Sequence, residues 1–170
     1  MDLAAYIRSI PDFPQPGVLF RDITTLLKDP CAFQAAIDVL YSKIEDQTID
    51  VVAAIESRGF ILGAPLALKL GCSFVPVRKP GKLPAAAIRA EYSLEYGTNA
   101  LELHVDAIHP GQRVLVVDDL LATGGSAQAA VSLIEQLGGN VIGALFLIEL
   151  TDLCGADKLQ GCPTWSVIRY

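Results

Sequence analysis

The sequence predicts an α/β protein: an open, mainly parallel twisted sheet with helices on both faces and a mobile flap. Three observations point there. Strand-like and helix-like segments alternate through most of the 170 residues. The strand-like runs are continuously apolar, as expected of strands buried on both faces. One of them passes through a turn of small residues directly into a helical segment, the connection at which open α/β sheets bind ligands. A chain of 18.1 kDa is one domain's worth, so residues 1–170 are read as a single domain. With 52% hydrophobic and 19% charged residues, it has ample apolar surface to offset the entropy of ordering, which excludes a disordered chain.

The elements follow in order. Asp29-Pro30 is an N-cap and N1 pair, and Phe33, Ile37, Leu40, Tyr41 and Ile44 recur at helical spacing, predicting a helix to about Asp46. Ile49 to Ile55 is rich in β-branched residues and suits a buried strand. Gly59 to Leu70 reads as a helix ended by Gly71, and Ser73 to Val77 as a short strand. Arg113 to Val117 is a third strand, Gly124 to Leu137 a helix closed by Gly138-Gly139, and Val141 to Ile148 a fourth strand. Between Lys79 and Thr98, Pro80, Gly81, Pro84, an alanine run and Gly97 break every period. So long a connection within a domain is usually functional, and residues of about 79–104 are read as the flap, with a hairpin of Ala87 to Leu94 and Ala100 to His104. Leu153 to Tyr170 adds a final helix and an edge strand without a functional assignment.

Composition narrows the function classes. The longest apolar stretch, Val141 to Ile148, falls far short of the roughly 20 residues of a membrane helix. The N-terminus lacks the basic, apolar and small-residue regions of a secretory signal, so a cytoplasmic location is expected. Cys31, Cys72, Cys154 and Cys162 form no C-x-x-C pair, and with His104 and His109 they offer no zinc spacing; they read as reduced cysteines. A net charge of −6 argues against binding nucleic acid, which needs basic surface. That charge is uneven. Ser57 to Ala90 contains no acid but carries Arg58, Lys69, Arg78, Lys79, Lys82 and Arg89. Such an island is either a solvated face or a site for a compact anion.

The most informative run is Arg113-Val114-Leu115-Val116-Val117-Asp118-Asp119-Leu120-Leu121-Ala122-Thr123-Gly124-Gly125-Ser126. It puts two carboxylates at the carboxyl end of a buried strand, the ligand edge of an α/β sheet. In the turn that follows, Gly124 and Gly125 allow close backbone approach, Thr123 and Ser126 supply hydroxyls, and the helix start has free N–H groups to hold a phosphate. It is neither a Walker P-loop, for want of the lysine, nor the dinucleotide fingerprint G-x-G-x-x-G. The alternative is a plain tight turn with Asp119 as a cap. Adjacent ionised acids repel, however, unless a cationic or hydroxyl-rich ligand joins them.

Val114 to Ser126 resembles the phosphoribosyl-pyrophosphate motif of type I phosphoribosyltransferases. That resemblance implies that Asp118 and Asp119 bind the ribose hydroxyls, and that Ala122, Thr123, Gly124, Gly125 and Ser126 cradle the 5′-phosphate. Phe13 to Ile23, Glu56-Ser57-Arg58-Gly59-Phe60, Arg78-Lys79, Gly81 to Pro84 and Tyr92 to Gly97 further resemble the adenine phosphoribosyltransferase family. The resemblance implies a homodimer that converts adenine and phosphoribosyl pyrophosphate into AMP and pyrophosphate in purine salvage. It implies Mg²⁺ held mainly by substrate oxygens and water, with no metal ligand from the protein. Ser57, Arg58, Arg78, Lys79 and Lys82 would hold the pyrophosphate, Arg58 and Glu95 being catalytic. A base-recognition segment of about residues 1–28 would contribute Val18, Phe20 and Arg21 to the adenine site, beside Leu120 and Tyr96. Core packing rivals the base role for Val18, and a solvated charge rivals the pyrophosphate role for Lys82. Pro80 departs from the basic or other polar residue expected there, which bears on the stiffness and charge of that loop. Transfer to another purine or pyrimidine base, or a regulator that binds phosphoribosyl pyrophosphate, are the alternatives.

Overall fold

In the computed structural model, residues 1–93 and 98–170 are described. The chain opens with a short 3₁₀ turn, Leu3–Tyr6, then pairs β1 (Arg8–Ile10) antiparallel with β2 (Phe20–Asp22). The single-turn α1 (Thr24–Leu27) leads to α2 (Pro30–Ser42), where the Asp29 carboxylate accepts from the amides of Cys31 and Ala32, as the N-cap reading requires. This helix stops at Ser42 rather than at Asp46; turns Lys43 N–H to Leu40 O and Ile44 N–H to Tyr41 O finish it while still burying Ile44. Then come β3 (Val51–Ile55), α3 (Arg58–Leu70), β4 (Ser73–Val77), β5 (Ala87–Ser93), β6 (Thr98–His104), β7 (Arg113–Leu121), α4 (Gly125–Gln136), β8 (Asn140–Glu149) and β9 (Thr164–Arg169). The helix expected after Leu153 is instead two 3₁₀ segments, Thr151–Leu153 and Gly155–Leu159, separated by Cys154 in the left-handed region.

The main sheet is parallel throughout, in the order β4-β3-β7-β8-β9. Strand alternation divides the core in two. Val52, Ala54, Leu115, Val117, Leu145 and Leu147 face α2 and α3, while Val51, Ala53, Val114, Val116, Ala144 and Phe146 face α4 and the β5–β6 hairpin. The expected hairpin thus forms, with Ile88, Ala90, Tyr92, Leu101 and Leu103 packed into the second half of the core. Gly63 lets α3 pack tightly on β3, since a Cβ there would collide with the Ala54 methyl group.

Two features of this topology make a site. From β3 the chain crosses through α3 to β4 on one side, whereas from β7 it crosses through α4 to β8 on the other. The carboxyl ends of β3 and β7 therefore border a topological switch point, where α/β sheets open a crevice. The second is a correction: β7 does not end at Val117. It runs on to Leu121 because Asp118 pairs with Phe146 and Leu120 with Ile148 on β8, so both aspartates belong to the strand itself.

Candidate active site

At the switch point lies a cavity of about 500 Å³. Its walls are the end of β3 and start of α3 (Glu56, Ser57, Arg58), the end of β7 (Asp118 to Leu121), the turn into α4 (Ala122 to Ala127), and Lys79, Tyr92 and Phe146. The structure thus brings together Ser57, Arg58, Lys79, Asp118, Asp119, Leu120, Ala122, Thr123, Gly124, Gly125 and Ser126. Gly59 makes this meeting possible, because a Cβ there would sit 2.9 Å from Asp118 Oδ1 and from the Val117 carbonyl.

The acidic pair is electrostatically uncomfortable. Asp118 Oδ1 accepts from the Asp119 amide at 2.9 Å. Burial, then the neighbouring Asp119 charge, pushes the Asp118 pKa well above the usual carboxylate range. Asp119 is only 3% exposed, and burial raises it too, although Arg58 opposes the shift. Arg58 Nε stands 2.8 Å from Asp119 Oδ2, but its N–H is misaligned, so this buried oxygen accepts no hydrogen bond from the described residues. The same guanidinium stands 5.1 Å from the Phe20 ring centroid, linking the acids to the N-terminal segment. A cation at the start of α3 opposes the helix dipole, and the Asp119 carboxylate compensates.

The turn after β7 is the complementary half. Gly124 adopts φ 77°, a conformation suited to glycine, and α4 starts at Gly125 without a side-chain cap. The amides of Thr123 to Ala127 and the hydroxyls of Thr123 and Ser126 donate to no described residue, while Gln128 N–H closes the first helical turn onto the Gly124 carbonyl. Such open amides at a helix start suit a phosphate.

Other expected residues lie apart. Arg78 donates to Glu56 Oε2 at 3.1 Å and to the Lys82 carbonyl at 2.9 Å. It organises the Lys82 loop instead of lining the cavity, and Lys82 is not among the lining residues. Glu56 also accepts from the Lys79 amide; burial would raise its pKa, but these two donors outweigh burial and lower it. Val18, Phe20 and Arg21 do not line the cavity, although the Arg58–Phe20 contact joins their segment to its rim. The Arg21 guanidinium lies 3.6 Å from the Tyr170 ring centroid and donates to Ser9 Oγ at 2.6 Å. Glu95 and Tyr96 lie outside the described residues. Sequence reasoning missed Phe146 and gave no role to Glu56 or Tyr92. Phe146 could be placed only with the β7–β8 register, which shifts between Val114 and Leu115.

A pair of buried acids, an arginine and a cradle of open amides can hold a sugar phosphate together with a second anionic group, and comparison with known proteins agrees. The family model for the phosphoribosyl transferase domain matches residues 22–163. The adenine phosphoribosyltransferase of Brevibacillus brevis is 56% identical over 170 residues, which are 100% of both chains. The crystal structure of adenine phosphoribosyltransferase from Thermoanaerobacter pseudethanolicus matches with a TM-score of 0.98 at 53% identity, covering 99% of this chain and 98% of that one. That of the Saccharomyces cerevisiae enzyme, complexed with an imino-altritol bisphosphate and adenine, matches with a TM-score of 0.91 at 41% identity, over 97% and 96% of the two chains. Motif, topology and these likenesses converge: the chain belongs to the adenine phosphoribosyltransferases of the type I phosphoribosyltransferase family.

Proposed function

We infer that this chain transfers the 5-phosphoribosyl group from phosphoribosyl pyrophosphate to adenine, releasing pyrophosphate and forming AMP in purine salvage. The observation that carries the reading is the strained Asp118–Asp119 pair facing the open-amide turn at the switch point. Ribose hydroxyls would donate to the acids, relieving their repulsion, and the 5′-phosphate would take the amides of Thr123 to Ser126. Adenine follows from relatives of that name matched over 100%, 96% and 98% of their lengths.

Departure of pyrophosphate leaves an oxocarbenium-like carbon at C1, so catalysis depends on positioning and on stabilising the leaving group's charge. Arg58 and Lys79, with Ser57, are the residues of the cavity wall that would receive the pyrophosphate. Arg58 would then exchange Asp119 for the substrate. Arg78 and Lys82 would act from the neighbouring loop. Leu120 would cover the base, with Val18, Phe20, Arg21 and Tyr96 completing its site and Glu95 accepting a hydrogen bond or proton from the purine. Mg²⁺ fits as a companion of the substrate: Asp119 Oδ2 offers an anionic acceptor for a metal-bound water, and the ion would supply charge neutralisation at the pyrophosphate.

A cytosolic homodimer completes the proposal. No described helix is long and apolar enough to cross a membrane. Exposed Ile61 and Leu68 on α3, with Phe74 on β4, support self-association, Leu68 being 83% exposed. Sedimentation at micromolar concentration should give twice the monomer mass. The activity is tested by incubating the protein with phosphoribosyl pyrophosphate, Mg²⁺ and each nucleobase separately. Pyrophosphate release with adenine alone is expected; release with another base only would change the substrate, and none with any base would refute the reading.

A further inference from the structure

The cradle enters its turn with few hydrogen bonds of its own, the Gly124 carbonyl accepting from Gln128 N–H at 2.9 Å. Within it, the Ala122 carbonyl and the amides of Thr123 and Gly124 have no hydrogen-bond partner among the described residues. What stands behind the turn is the backbone of Gly155, buried at the start of the second C-terminal 3₁₀ segment. A Cβ on Gly155 would fall deep inside contact distance of the Ala122 carbonyl oxygen and 3.0 Å from Gly124 N. A Cβ on Gly124 would, reciprocally, run into the Gly155 carbonyl. The two backbones touch face to face, and neither position has room for a side chain.

The strap that carries Gly155 is fixed at both ends. Leu150 N–H donates to the Leu121 carbonyl at 2.9 Å, and the Thr151 amide and hydroxyl both donate to the Tyr170 carbonyl, at 2.8 and 2.7 Å. Beyond Gly155, Leu159 is 4% exposed and packed into the core beside α4. Between them Cys154 adopts φ 49° without being glycine, a conformation that persists where surrounding contacts impose it.

We propose that Gly155 is a positioning residue for the reaction: its backbone is the backstop that sets the curvature of the Ala122–Gly124 turn, and thereby the enzyme's grip on the 5′-phosphate. This rests on reading the turn as the phosphate cradle. Gly155 itself touches no substrate. Gly155→Ala would push the turn out of register with the phosphate while leaving the pyrophosphate residues on β3 and α3 untouched.

The test uses the full chain, with ribose 5-phosphate and inorganic pyrophosphate as separate competitive probes. Gly155→Ala should raise the KM for phosphoribosyl pyrophosphate and the inhibition constant of ribose 5-phosphate by about tenfold or more, with pyrophosphate inhibition and the adenine KM unchanged. Unchanged ribose 5-phosphate inhibition, or an equal loss for all ligands, would overturn the proposal. Ser126→Pro, which removes both the amide and the hydroxyl in the first turn of α4, is the control for the cradle: if it too leaves ribose 5-phosphate binding intact, the cradle reading has failed; if it weakens that binding and Gly155→Ala does not, the backstop alone has failed. Should Gly155→Ala not fold, Leu159→Ala, which loosens the strap from beneath, decides. It should weaken ribose 5-phosphate selectively, and a uniform or absent effect would reject the backstop.

Discussion

The two ends of β7 treat their charges in opposite ways. At the amino end, Asp50, just before β3, takes Arg113 in a full fork: the Arg113 amide at 2.8 Å, Nε at 2.9 Å and a terminal nitrogen at 2.7 Å. These bonds hold the Asp50 pKa down to about 2. At the carboxyl end, further along the same strand, Asp118 and Asp119 are crowded and desolvated, and share one poorly aligned arginine. Their pKa values move up. The Asp50–Arg113 pair satisfies its own charges, whereas the Asp118–Asp119 pair concentrates perturbed carboxylates in a cavity, the pattern that marks a candidate site.

Breaking the carboxyl end should cost most. Asp119→Asn should lower kcat/KM for phosphoribosyl pyrophosphate by about 100-fold or more in initial-rate assays, since it removes an acceptor and leaves Arg58 without its partner. Wild-type turnover in that variant would refute the ribose role. Asp118→Asn should lower kcat/KM by about tenfold. Yet it should raise the melting temperature of the free enzyme at neutral pH, because an amide removes a buried repulsion. The sign follows from the raised pKa. The native state holds this proton more tightly than the unfolded chain, so stability is lost as pH rises through the raised value. A lower melting temperature for this variant would show that the pair is not strained.

The amino end should behave in reverse. Asp50→Asn should leave steady-state kinetics unchanged and lower the melting temperature by a few degrees at most, because the pair is solvent-facing. With the Asp50 pKa lowered from 3.8 to about 2, its contribution is present above pH 4 and lost as pH falls toward 2. The difference between wild type and variant should therefore vanish in acid melts. Smaller still, Tyr170→Ala should raise the adenine KM a few-fold, by freeing the Arg21 guanidinium stacked on its ring, with little change in the KM for phosphoribosyl pyrophosphate.

Much of the site was legible because its chemistry is local. Asp118 to Ser126 are contiguous, and a buried strand, two acids and a glycine turn declare a ligand edge without reference to the rest of the fold. The acid-free stretch from Ser57 to Ala90 was a coarser signal, and the structure divides it. Arg58 and Lys79 reach the cavity, while Arg78 is engaged by Glu56 and the Lys82 carbonyl. A count of charges cannot separate the two cases, since both are basic residues near the end of a strand. The extension of β7 through its aspartates is hidden in the sequence for a similar reason: charged residues read as a strand's end until the pairing with Phe146 and Ile148 on β8 is known.

The sequence alone therefore determined the alternation of strands and helices, the double-sided burial of the sheet and the place of the acidic pair. Each of these depends on periodicity or on neighbours within a few residues. Tertiary structure decided which cation meets which acid, that Phe146 lines the cavity and that the Gly155 backbone abuts the Ala122–Gly124 turn. Those contacts join residues some 30 to 60 positions apart, and only strand register and crossover bring them together. A glycine without a turn motif says nothing about what its missing side chain makes room for until the opposing backbone is in place.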